Sequence, residues 1–135
     1  MHLLIRFLAA LGAGFLGQSC LAADSLVCHV TYGGETQTMR ADTAPSPYQI
    51  SPVAVGSYFL FRMVVERNAG SLAAVKLYTY ADRDETAVPI HVAEFPYPPV
   101  AGRRHGFTGI QRVYEPVRDG ELEYWCEMRK RGAAK

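Results

Sequence analysis

Neither sign of charge prevails in this chain, where 14 lysines and arginines stand against 13 aspartates and glutamates. Such a balance offers no electrostatic pull toward a nucleic-acid backbone or an anionic membrane, so neither is expected as a partner. Long apolar runs are missing as well. A membrane-spanning helix needs roughly 20 apolar residues. The first run, Phe7 to Leu16, falls short and meets Gly17 and Gln18, and the next, Tyr58 to Val65, is broken by Arg62. Catalytic signatures are also lacking: there is no G-x-S-x-G elbow, no H-E-x-x-H and no phosphate-cradling glycine loop. No catalytic residue and no cofactor is assigned, and the protein is expected not to be an enzyme. Internal repeats, low-complexity segments and a convincing helix beyond the first residues are absent too.

What is present begins with an address. The chain opens M-H-L-L-I-R, continues through the apolar run and reaches S-C-L-A-A, the charged, apolar and small-residue regions of a secretory signal peptide. Residues 1–22 are read as that leader and 23–135 as one domain, with cleavage after Ala22 or Ala23. Cys20 opens a second route, lipid modification, although Leu16 lies one place too early for the usual lipobox. The expected location is periplasmic or secreted, in an oxidising compartment.

Cysteine is scarce, with three in all. Cys20 leaves with the leader, and Cys28 and Cys126 remain as an even pair. Both fall on apolar faces of alternating segments, so a disulfide joining the first strand to the last is expected. In the chain-entropy picture a loop of about 100 residues contributes on the order of 4 to 5 kcal/mol.

The segments themselves follow a period of two. From Ser25 to Tyr32, Leu26, Cys28, Val30 and Tyr32 share one side; Gly33-Gly34 signals a hairpin into the polar edge strand E-T-Q-T-M-R-A. A proline-bearing loop follows, with Tyr48 and Ile50 expected to tuck inward. Val55 to Glu66 reads as one central strand, Leu72 to Tyr80 as the next, and Val88 to Phe95 as another with Val88, Ile90 and Val92 inward and His91 outward. A long loop, P-Y-P-P-V-A-G-R-R-H-G, separates it from Phe107 to Glu115. The last strand is built on D-G-E-L-E-Y-W-C-E-M, with Leu122, Tyr124, Cys126 and Met128 on the inner face. Six to seven strands at this spacing predict an all-β fold, an antiparallel β-sandwich or small barrel. Tyr124 two places before Cys126, preceded by Asp119 and Gly120, resembles the tyrosine corner of immunoglobulin domains, which implies an immunoglobulin-like architecture.

Two surfaces point to recognition. The long loop is stiffened by prolines, carries Tyr97, and ends in a cationic tip of Arg103, Arg104 and His105 suited to a carboxylate or phosphate. Trp125, the single tryptophan, alternates onto a polar face where the loop or Arg112 could cover it, and Tyr78 and Tyr80 sit on the polar face of their strand. Exposed aromatics beside arginines are typical protein-binding anchors. The function expected is therefore a non-catalytic binding or accessory module, its partner an envelope or extracellular protein. Two alternatives stand beside it: a periplasmic copper carrier using His29, His91 and His105, and a secreted enzyme inhibitor. Against the first, no H-x-H, H-x-x-x-H or methionine-rich cluster occurs, and no metal site is assigned. The D-x-D of Asp82 and Asp84 lacks the glycine and distal glutamate of a calcium loop, Ala87 and Ala93 standing in those places.

Overall fold

The computed structural model describes residues 24–44, 46–67, 73–100, 102 and 104–131. The leader, Cys20, the Asn68 to Leu72 turn, Arg103 and the extreme C-terminus lie outside the described residues. Eight strands form two antiparallel sheets of four: β1 (Asp24–Tyr32), β2 (Glu35–Ala41), β7 (Gln111–Glu115) and β8 (Gly120–Lys130) in the order β2-β1-β8-β7, and β3 (Val53–Val55), β4 (Phe59–Glu66), β5 (Ala74–Asp82) and β6 (Ala87–Pro96) in sequence order. The expected all-β sandwich is what forms, with β2 at an edge and β4 central. No helix among the described residues is long and apolar enough to cross a membrane.

Alternation explains the layers. Leu26, Cys28 and Val30 of β1 and Leu122, Tyr124 and Cys126 of β8 face Phe59, Phe61, Met63 and Val65 of β4 and Val75 and Leu77 of β5, making one buried apolar core. Residues of opposite parity face outward on each sheet. The Cys28–Cys126 disulfide closes a separation of 98 residues. Unlike the inter-sheet bond of immunoglobulin domains, it joins directly opposed residues of adjacent strands in one sheet.

Five local expectations are corrected. The strand expected from Phe107 to Glu115 begins only at Gln111, because Phe107 and Thr108 bond individually to Cys126 ahead of the regular ladder. The single strand from Val55 is two, because Gly56 turns the chain at φ 58° and an added Cβ there would collide with the Tyr32 ring. Tyr48 is 92% exposed, since the 3-10 turn Pro47–Gln49 points it away from the core. A β-bulge opposite Thr79/Tyr80 inserts one residue into β6 and reverses the faces beyond it. His91 consequently turns inward and Val92 outward, the latter 53% exposed. Finally, the Tyr124 hydroxyl does not tie down a neighbouring loop; it lies 2.9 Å from Nε2 of His91 on the opposite sheet.

Candidate functional site

The disulfide fixes the strand register, and the register builds the site. With Cys28 opposite Cys126, the next residue pair is His29 and Trp125, both directed to the outer face of the β1/β8 sheet. Their rings stack at 3.9 Å between centroids and 18° between planes. His29 Nε2 lies 2.9 Å from Glu127 Oε1, and its Nδ1 is 3.4 Å from Thr38 Oγ1 on β2. Burial pushes the Glu127 carboxyl up, but the bonds from His29 and Arg129 outweigh it and hold the group below its ordinary range. The stack is thus pinned at one corner by a carboxylate that stays ionised.

The long loop comes down on the same tryptophan. His105 meets the Trp125 ring nearly edge-on, 5.7 Å between centroids and 75° between planes. Two hydrogen bonds to the Cys126 backbone hold it there: the Phe107 N–H donates to the Cys126 carbonyl (3.0 Å), and the Cys126 N–H donates to the side-chain Oγ1 of Thr108 (2.8 Å). Gly106 makes this approach possible, with φ 59° and no side chain where a Cβ would strike the Cys126 carbonyl. Phe107 anchors the loop from below, edge-on to Phe95 at 5.2 Å. A groove of about 400 Å³ runs along the tip between Val100, Arg104, His105 and Phe107, and a second of about 360 Å³ lies between Tyr97, Pro99, Phe107 and the end of β8.

Of the residues singled out from the sequence, His105 is brought against Trp125, and exposed Arg104 lines the tip groove beside His105. Arg103 lies outside the described residues. Tyr97 stands apart from the tip: its N–H continues the β5/β6 ladder to the Ala73 carbonyl (2.9 Å), and its half-buried ring packs on the core with Arg67 above it at 5.1 Å. Tyr78 and Tyr80 form a separate patch on the outer face of the other sheet, rings 6.3 Å apart, with the Arg62 guanidinium 4.2 Å from Tyr78 and 5.7 Å from Tyr80. The two aromatic faces lie on opposite sides of the sandwich, so no single ligand surface joins them. Arg112 does not cover Trp125; it pairs with Glu123 at 3.1 Å.

The three histidines of the copper alternative do not converge, because His91 points into the core while His29 and His105 flank Trp125. Among the described residues, no group of three or more His, Cys, Asp or Glu side chains is placed to hold a metal ion. The site offers instead an aromatic and imidazole ledge, a fixed carboxylate and an adjacent guanidinium, a set suited to binding. Glu127 and Thr108 carry no sequence-based expectation, and His29 enters the sequence reading only as a copper candidate, not as part of a recognition surface. His29 and Glu127 could have been placed there, since setting Cys28 opposite Cys126 obliges His29 to meet Trp125 and Val27 to meet Glu127.

Comparison with protein-family models, with curated proteins and with solved structures gave no match for this chain.

Proposed function

We propose that this protein is an exported, non-catalytic recognition module of the periplasm or extracellular space, which holds a partner protein against the tip of the 96–106 loop and Trp125. The observation that supports this most is the contact between His105 and Trp125, because it merges the two features with binding character into one half-exposed surface. A rigid ledge loses little entropy on binding, and aromatic groups beside an arginine are the residues that dominate protein interfaces. The leader-like opening of the chain and the disulfide support the address. An enzyme docked on this loop would make the protein an inhibitor, with the same surface engaged.

The test is a comparison of two faces. Bait protein carrying Arg104→Ala, His105→Ala and Trp125→Ala is set beside bait carrying Tyr78→Ala and Tyr80→Ala, and each is used to capture proteins from an envelope extract. The first variant should lose the wild-type partner by at least about tenfold, the scale of one hot-spot side chain, while the second retains it. Equal retention by both, with folding intact, would remove the ledge from consideration.

A further inference from the structure

We propose that β2 is a dimerisation edge, and that two copies of this chain join through antiparallel β2 pairing into one continuous eight-stranded sheet. The sandwich has four edge strands, and they are not alike. β3 is three residues long, β7 is five and runs into Pro116, and β6 carries Pro89, Pro96 and the bulge. These are the devices by which edges are kept from pairing. β2 has neither proline nor bulge, and its charged residues, Glu35 and Arg40, lie toward its two ends. Its seven residues pair with β1 without interruption from Ala41 to Glu35 and contain neither proline, glycine nor lysine.

The direction of its free peptide groups follows from the disulfide row. The N–H and carbonyl of Cys126 both face the loop side, toward Thr108 and Phe107, so Cys28 and Cys126 form a non-hydrogen-bonded pair. Alternation then turns the peptide groups of Cys28 and Met39 toward each other, and leaves those of Thr36, Thr38 and Arg40 on the open edge. A two-fold axis at Thr38 satisfies all of them. It places Thr38 opposite Thr38, Thr36 opposite Arg40, Gln37 opposite Met39 and Glu35 opposite Ala41 of the second copy, using the whole strand with no register offset. The charges fit this register, because neither Glu35 nor Arg40 meets a like charge. Paired residues also keep the same parity, so the inner and outer faces of the two sheets run on without reversal.

Thr38, His29 and Trp125 occupy one cross-strand row. The dimer extends that row through the axis and sets the two tryptophans on a common face, about 24 Å apart at about 4.8 Å per strand. If the ledge is the recognition surface proposed above, the dimer is bivalent; the pairing itself does not depend on that.

Sedimentation equilibrium of the disulfide-bonded protein across a concentration series should show the mass rising to twice the monomer value. Thr38→Lys, which sets two ammonium groups against each other on the axis, should remain monomeric and still unfold cooperatively, and its melting temperature, unlike that of the wild type, should not rise with concentration. Thr38→Cys should cross-link to a covalent dimer on mild oxidation, since self-opposed residues lie about 5.5 Å apart, within disulfide reach. Thr36→Cys, which faces Arg40, should not. A wild-type protein that stays monomeric throughout overturns the proposal, including one that instead takes up an extended peptide at this edge. So does a dimer that survives Thr38→Lys and fails to cross-link through Thr38→Cys. Trp125→Ala should leave the dimer intact, so loss of dimerisation and loss of partner capture are separable results.

Discussion

The imidazole of His91 and the phenol of Tyr124 form a polar contact spanning the two sheets beneath β6. Burial acts on both: it pushes the Tyr124 phenol up and the His91 imidazolium down, so both groups are neutral at pH 7 and one hydrogen bond satisfies the pair. An unfolded chain takes up a proton on His91 near the ordinary value of 6.5, while the folded chain resists until lower pH. Stability from this group is therefore full above that value and falls as pH drops from about 6.5 toward the folded value. The carboxyls of Asp42, Glu115 and Glu127 are all held below their ordinary ranges, so their contributions persist until the pH falls below 4.5. Melting temperature should decline between pH 7 and pH 5, and His91→Gln should flatten that decline. A variant with the wild-type slope would show that another group titrates there. Unbroken alternation through β6 would direct His91 outward, which is why the sequence pattern predicts it there. The one-residue bulge that reverses it leaves no mark in V-P-I-H-V beyond Pro89, which cannot donate to a ladder.

Glu115 is the other residue that pattern could not flag. It ends β7 with 0% exposure. Its oxygens accept the backbone N–H groups of Arg118 (2.9 Å) and Val117 (3.2 Å), and the guanidiniums of Arg118 and Arg83 sit at 3.4 and 3.3 Å. Burial alone would raise its pKa, but these four donors outweigh that. Glu115→Gln should lower the melting temperature well beyond Glu121→Gln, an exposed control on the next strand, because it leaves both arginines without their buried partner. Equal effects in thermal melts would mean the cluster contributes nothing. A glutamate at a strand end reads as solvated in sequence; what buries this one is the β5/β6 turn supplying Arg83, a contact 32 residues away.

At the scale of elements, the 97–110 connection is less a free loop than an edge annex of β8. The sequence made its length and its cationic tip evident, and suggested that it covers Trp125. What it did not disclose was the seam along Phe107, Thr108 and Cys126, which depends on a threonine hydroxyl standing in for a strand partner. Gly106 is where this arrangement is most exposed to change. Gly106→Ala should cost about 1–2 kcal/mol from the left-handed backbone alone, and more from the collision with Cys126. Since Trp125 is the only tryptophan, its fluorescence reports the event directly. The emission should shift to the red as His105 lifts away; an unchanged spectrum would show that the tip is held by something other than this glycine. The β3/β4 division was hidden for a related reason: Gly56 lies inside a run whose apolar content suits a strand, and only its close approach to Tyr32 requires the turn there.

For the molecule as a whole, most of the architecture was legible. Period-two alternation gave the inner faces of β1, β4, β5 and β8, and the even cysteine pair gave the bond from first strand to last. The division into sheets was not legible, because neither crossing segment, 42–52 nor 97–110, states which sheet it enters. The disulfide binds β1 and β8, the first and last described strands, within one sheet, and the β3 to β6 meander lies between them in sequence. Replacing Cys28→Ala together with Cys126→Ala should remove on the order of 4 to 5 kcal/mol, much of the 5–15 kcal/mol typical of a domain. Urea unfolding would register it as a large fall in midpoint, and an unmoved midpoint would refute the stapling role.

The central claim is that one face of this sandwich, and not the other, meets the partner. A photo-crosslinking residue substituted at Arg104, compared with one at Tyr80 on the opposite sheet, tests it in a single irradiation of the protein in envelope extract. An adduct of discrete mass from position 104, with none from position 80, is the predicted result. An adduct from position 80 alone would contradict the account and transfer the site to the Arg62, Tyr78 and Tyr80 patch.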